Sequence, residues 1–325
     1  MSAARLTLAL DAGIVALPEE GTIATLGPVV EQDLWGLPKD RTVVISRDRL
    51  VHDALGPFGY DRAETLPEDV AVVIVFLPRA RDLARAHLHA AMRSGAEVLV
   101  NGAKVHGVDS LYREIGKHAA VSPAWSKAHG KVFSIAAGQE PPAQWAEGQR
   151  TIEGGFVTAP GIFSADGPDK ASVLLAAEIE GLSGHVVDLG AGWGFLAKHA
   201  LGTSEEITKL DLVEADGRAL DCARMNLDDP RAAFHWADAT RWTPEKKPDV
   251  IITNPPFHQG RNADPALGQA FIAAAAGMLA PKGQLLLVAN RHLPYEVSLA
   301  ERFGQTEEIG GDRGFKILRA AKPRH

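Results

Sequence analysis

The residues best equipped for chemistry stand at the end of one apolar run. In "VIITNPPFHQG" (250–260), Asn254, Pro255, Pro256 and Phe257 follow a stretch built for burial. One proline is enough to stop a strand, because it withholds a ladder donor. Termination therefore leaves the amide and the aromatic ring unexplained. An amine attached to an aromatic ring is a poor nucleophile while its lone pair is delocalised. Two acceptors, the Asn254 side-chain oxygen and the Pro255 carbonyl, would hold its N–H groups and turn the lone pair toward an electrophile. The prolines fix carbonyl directions and remove competing donors, and Phe257 offers a face on which a base can stack, worth about 1–3 kcal/mol. No ionisable base is needed, since the product ammonium is acidic and can lose its proton to water. Asn254, Pro255, Pro256 and Phe257 are the candidate catalytic residues.

A second constellation concerns a ligand. "VVDLGAGWGFLA" places Asp188, Gly190, Gly192 and Gly194 between a predicted strand and a predicted helix. Glycines there let the chain turn tightly and let a ligand approach without meeting a Cβ. Glu214 ends the next strand, 26 residues after Asp188, where a carboxylate can take both ribose hydroxyls. A glycine turn alone is equally a plain turn; with Glu214 a nucleoside-type ligand is favoured. Asp188 beside the turn would repel a pyrophosphate and attract an amine or sulfonium cation, which shifts the choice from NAD toward S-adenosylmethionine. Asp238 in "HWADAT" has two readings, an acceptor for an adenine amine or the cap of a turn. Trp193 and Phe195 either wall a pocket or simply pack.

These residues need a frame. From about residue 170 helical and β-branched segments alternate: "DKASVLLAAEIEGL", "HVVDLG", "FLAKHALG", "ITKLDLVEA", "GRALDCARMNL", "AAFHWAD", "PDVIITN", "PALGQAFIAAAAGML" and "GQLLLVAN". Such alternation predicts an α/β fold with a doubly wound, mostly parallel sheet. The closing "TEEIGGDRGFKILRAA" reads as an added antiparallel pair. The sheet places the ends of its first and fourth strands together at the switch point, so Asn254 is expected beside Gly190 and Gly192.

The first half repeats this layout in worn form. "VVIVFLPR" (72–79) lies on "VIITNPPF", with Pro78 on Pro256; "EVLVNGAKV" lies on "QLLLVANRHL"; "GKVFSIAA" lies on "GFKILRAA". The first copy has Phe76 and Leu77 in place of Asn254 and Pro255, and no glycine-rich turn. Two related domains follow, 1–145 degenerate and 146–325 catalytic, divided at the Pro-bearing "AGQEPPAQWAEGQRT".

Composition sets limits. The hydrophobic content of 46% with 23% charged residues is that of an ordinary globular protein. The only cysteine, Cys222, excludes an intrachain disulfide and suits a reducing, cytoplasmic setting. "LTLALDAGIVAL" resembles a leader core, but Asp11 interrupts it and only Arg5 precedes it, so no membrane segment is expected. A net charge of −7 argues against a broad nucleic-acid grip and leaves local patches. Candidates are Arg79, Arg81, Arg85 and Arg93, and the C-terminal Arg313, Lys316, Arg319, Lys322 and Arg324, either of which is equally a solvated face. His258 and His292 carry no metal-ligand spacing, and no metal is expected.

Residues 188–194 with 254–257 resemble the class I S-adenosylmethionine-dependent methyltransferases that modify exocyclic or amide nitrogens. The likeness is closer to the bacterial small-subunit ribosomal RNA guanine-N2 methyltransferases, whose segments "PGIFSADGPDKASVLLAA", "NPPFHQG" and "ANRHLPYEVSLAERFG" are similar in order. A degenerate amino-terminal copy is also a feature of that family. The resemblance implies S-adenosyl-L-methionine as cofactor, held by Asp188, Gly190, Gly192, Glu214 and Asp238. It implies ribosomal RNA or the small ribosomal subunit as partner; separately, a monomer is expected. Glu214 departs from the Asp found in many relatives. The large-subunit guanine enzymes, the amino-adenine DNA enzymes and the glutamine methyltransferases are alternatives; the last two usually carry Tyr where Phe257 stands. From other classes, a dehydrogenase would have no use for Asn254, and a non-catalytic RNA-binding module fits the acidic balance poorly.

Overall fold

The computed structural model describes residues 3–146, 148–256, 258–259, 262–263 and 265–324. They fall into two compact units, Met1–Gln149 and Arg150–His325. The division lies four residues beyond the boundary read from the sequence, and Trp145 is buried in the core of the first unit on either division.

In chain order the first unit comprises α1 (Ala3–Asp11), β1 (Ile23–Leu26), β2 (Thr42–Ile45), α2 (Arg49–Leu55), β3 (Asp61–Ala63), β4 (Val72–Phe76), α3 (Arg81–Arg93), β5 (Glu97–Ala103), α4 (Val108–Ile115), β6 (Trp125–Lys127) and β7 (Gly130–Ile135). The sheet order is β3-β2-β1-β4-β5-β7-β6, parallel except for β7 and β6. β4 is buried on both faces, which explains its unbroken apolar run. Val72, Ile74 and Phe76 join a core with Leu6 and Leu55, while Val73 and Val75 meet Leu88 and Leu111 on the other side. β1, β2 and β3 have only three or four residues, too few for periodicity to announce them. The leader-like start is α1, with Leu6 and Ala9 in the core. Its buried Arg5 donates to Asn101 Oδ1 (2.6 Å) and to the carbonyls of Lys127 and Ala128 (both 3.1 Å).

The second unit continues with β8 (Arg150–Thr151), β9 (Val157–Thr158), α5 (Lys170–Ala176), β10 (Gly184–Leu189), α6 (Phe195–Thr203), β11 (Ile207–Glu214), α7 (Gly217–Asn226), β12 (Ala232–Trp236), β13 (Val250–Thr253), β14 (His258–Gln259), β15 (Asn262–Ala263), α8 (Pro265–Met278), β16 (Gln284–Asn290), α9 (Tyr295–Arg302), β17 (Phe303–Gly311) and β18 (Phe315–Pro323). The order β12-β11-β10-β13-β16-β18-β17 repeats that of the first unit. β18 and β17 are the antiparallel addition that the closing sequence predicts. Both faces of this sheet carry helices over apolar cores, so the unit is doubly wound. The run "DKASVLLAAEIEGL" is helical only to Ala176. Beyond it Glu178 and Ile179 donate to Leu175 and Ala176 in tighter i→i+3 turns before Gly181 at φ +68. No helix among the described residues is long and apolar enough to cross a membrane.

Candidate active site

β10 ends in the glycine turn. Gly190, Gly192 and Gly194 have φ of +75, +55 and +85, a region where a side chain is strained. Their surroundings differ. A Cβ on Gly194 would lie 2.5 Å from Leu227 Cδ1, and one on Gly190 would lie 3.3 Å from the Phe271 ring. A Cβ on Gly192 would meet nothing within 4 Å. Gly194 therefore serves helix packing, and Gly192 faces open space.

Two carboxyl groups flank the turn. Asp188 is fully buried, with the Ala197 backbone N–H as the one group favouring its charged form among the described residues. Burial, and then the nearby Glu214 charge, push it up to about 8. Glu214 closes across the turn: Oε2 accepts from the Gly192 N–H and Oε1 from the Asp216 N–H, both at 2.8 Å. Its carboxyl is also raised, to about 6, chiefly by desolvation. Asp238 takes the capping role among its two readings with one oxygen: Oδ1 accepts from the Thr240 N–H (2.8 Å) and Oγ1 (2.6 Å).

The fourth strand of the fold, β13, brings the amide in. Leu189 pairs with Thr253 in parallel register, and Thr253 Oγ1 donates to the Leu189 carbonyl at 2.7 Å. Gly190 and Asn254 thus leave adjacent strand ends together. Both line one pocket with Gly192, Asp169, Ser172 and Phe163. Asn254 Nδ2 donates to Asp169 Oδ2 (2.9 Å) and to Ser172 Oγ (2.8 Å). Its Oδ1 is buried without a hydrogen-bond partner among the described residues. A carboxylate only accepts, so the amide must turn its NH2 to Asp169 and its oxygen away. Pro255 is buried and Pro256 exposed. Phe257 lies outside the described residues.

Asp169, Ser172 and Phe163 are site residues that the spacing arguments do not single out. Asp169 had a local signal, since its carboxylate caps α5 by accepting from the Ala171 (3.0 Å) and Ser172 (3.2 Å) amides. Its reach to Asn254, across 85 residues, had none. Phe163 is 66% exposed and precedes Ser164, whose φ is +54. Trp193 and Phe195 line the pocket and also pack: Phe156 meets Trp193 edge-on at 4.9 Å, and Asn226 Nδ2 donates to the Trp193 carbonyl at 2.8 Å.

The basic candidates are largely engaged. In the first unit Arg81 and Arg85 both bond Glu114, the latter at 2.8 Å. Near the C-terminus Lys316 is buried, donating to Glu296 and to the Leu293 carbonyl. Arg319 meets Gln284 and Glu307.

A doubly wound sheet with a glycine turn after its first strand, an acid ending the second and an amide ending the fourth is the arrangement of a nitrogen-directed methyltransferase. Residues 153–319 match the family described as "Methyltransferase small domain". The chain is 30% identical over 262 residues to the ribosomal RNA small subunit methyltransferase C of Pseudomonas aeruginosa, covering 77% of this chain and 78% of that protein. It is 32% identical over 247 residues to the ribosomal RNA large subunit methyltransferase G of Shewanella amazonensis, of which it spans 63%, while 70% of this chain is matched. The solved T. thermophilus 16S rRNA N2 methyltransferase, in complex with AdoMet and guanosine, is similar with a TM-score of 0.77 at 26% identity, over 94% of this chain and 90% of that one. The chain belongs to the Methyltransferase small domain family.

Proposed function

We propose that the chain transfers the methyl group of S-adenosyl-L-methionine to the exocyclic N2 amine of a guanine in small-subunit (16S) ribosomal RNA. The observation that carries this reading is the buried, partnerless Oδ1 of Asn254 beside the glycine turn. An unpaired buried acceptor costs about 1–3 kcal/mol, and an N–H from a ligand relieves it.

The chain's residues fit the cofactor. Asp188 is buried beside the turn, where a cationic ligand would favour its ionised form, and the open side of Gly192 admits close approach. Glu214 keeps lone pairs beyond its two amide bonds for ribose hydroxyls, and Asp238 keeps its second oxygen for an adenine amine. When bound, S-adenosylmethionine supplies an electrophilic sulfonium methyl.

Asn254 Oδ1 accepts one N–H of the guanine amine, and the Pro255 carbonyl accepts the other. Held in this way, the amine would be fixed with its lone pair turned out of the ring's conjugation, ready for the methyl donor that the glycine turn and Glu214 would hold. One amine proton then leaves to water. Pro256 stiffens the turn, and Phe257 stacks on the base. The first unit positions RNA or is structural, with Arg79, Arg81 and Arg85 as its candidate contacts. The single cysteine and the ribosomal RNA methyltransferase relatives support a cytoplasmic enzyme, and we expect a monomer in light scattering.

Incubation with labelled S-adenosylmethionine and separated ribosomal subunits tests this reading. Label is expected in small-subunit RNA. The relative named large subunit methyltransferase G favours a second reading, which label in large-subunit RNA would establish. Label appearing only in protein would sink both.

A further inference from the structure

The Asn254 amide can present either its oxygen or its NH2 to the site, and only one of these is chemically useful. With Oδ1 toward the substrate it accepts an amine N–H; with Nδ2 there, two donors would face each other. Nothing on β13 decides between them. The choice is made by the segment entering α5, where Asp169 Oδ2 and Ser172 Oγ both receive the Asn254 NH2, at 2.9 and 2.8 Å. Asp169 Oδ2 is held in place by the Ala171 and Ser172 amides. A flipped Asn254 would set its oxygen against that carboxylate.

We propose that Asp169 and Ser172 are positioning residues that lock the Asn254 amide with its oxygen toward the substrate amine, an inference that rests on the methyl-transfer reading above. Both act through the Asn254 amide that they bond. They remove the rotational freedom of the one side chain that must be aligned, and misplacement of such a group by about 1 Å can cost about 10²-fold in rate. The capping role of Asp169 is separable from the lock. Serine also caps a helix, but its hydroxyl is one bond nearer the backbone and leaves the Asn254 NH2 out of reach; asparagine caps and offers an oxygen at the original distance.

The test compares D169N, D169S/S172A, S172A and N254A as purified full-length proteins. It reads kcat and KM with ribosomal RNA as substrate, S-adenosylmethionine Kd by calorimetry, and Tm. D169N is expected to keep at least half of the turnover. D169S/S172A is expected to lose about 10- to 100-fold in kcat, with Kd and KM each within about threefold of wild type. A purely structural role for Asp169 would instead lower Tm and leave kcat of the folded fraction unchanged, and that result would overturn the lock. Should D169S/S172A fail to fold, S172A leaves the cap intact and carries the test. A fall of about threefold or more in kcat is then expected, and unchanged turnover overturns the proposal. N254A separates the two levels. An active N254A removes the catalytic reading itself, whereas an inactive N254A beside a fully active D169S/S172A removes only the lock.

Discussion

Leu26 pairs with Val75 in the first unit as Leu189 pairs with Thr253 in the second, so Phe76 and Asn254 end equivalent strands. The residues after the first strands correspond too: Gly27 and Gly190 both have φ of +75. From there the units part. A Cβ on Gly27 would lie 2.6 Å from the Phe76 carbonyl oxygen, and Phe76 and Leu77 are buried in the apolar cores. In the second unit the turn runs on through Gly192, which faces open space, and the strand ends in an amide with a partnerless oxygen. The same strand order thus supports a packed switch point in one unit and a polar, open one in the other. What separates them is a short list of side chains on a common backbone plan.

The largest effect should come from making the second unit more like the first. Asn254→Ala is expected to lower turnover about 10³-fold with S-adenosylmethionine affinity within about threefold of wild type. Turnover near wild type would falsify the acceptor role.

The glycines give the next contrast. Gly192→Ala, at positive φ and pointing into open space, should weaken cofactor binding about tenfold with a modest fall in Tm. Gly27→Ala should destabilise the protein by about 2–4 kcal/mol through its clash with Phe76, without weakening cofactor binding. Calorimetry paired with thermal unfolding checks both; similar losses of affinity would erase the distinction.

A smaller effect concerns pH. Asp188 is raised from 3.8 to about 8, so the folded chain holds a proton that the unfolded chain releases. Its contribution to stability is complete below the unfolded value and is lost as pH rises toward about 8. The wild-type Tm should therefore fall between pH 5 and 8 by about 2–5 °C more than that of Asp188→Asn. Parallel profiles would show that the buried carboxyl is not protonated. The smallest effect is expected at the first unit's basic edge. Reversing Arg79, Arg81 and Arg85 together to Glu should weaken RNA affinity about threefold at low salt. Unchanged affinity in that variant would detach the first unit from RNA positioning.

Much of this was legible in the residues. Alternating apolar segments announced the sheet of the second unit, and the laying of "VVIVFLPR" on "VIITNPPF" placed Phe76 opposite Asn254, as the strand registers do. The glycine turn and the fourth strand were expected to meet, and they line one pocket. Less legible were β1 to β3, too short to show a period, and the basic candidates, whose partners Glu114 and Glu296 are distant in sequence. Asp238 shows the same limit, because a turn cap and a ligand acceptor look alike until the Thr240 bonds are seen.

The sequence by itself determined the type of chemistry: an amide, two prolines and an aromatic ring at a strand end, opposite a glycine turn with acids on either side. Local spacing carries that information because strand ends, turns and caps are local objects. Only the tertiary structure decided which end of the Asn254 amide faces Asp169 and which is left without a partner among the described residues. That choice depends on Asp169 and Ser172, more than 80 residues earlier, and on a hydrogen bond that exists only once α5 has packed beside β13. It also decided that the Asp188 carboxyl is fully buried, because burial is a property of the assembled core and not of any residue within it.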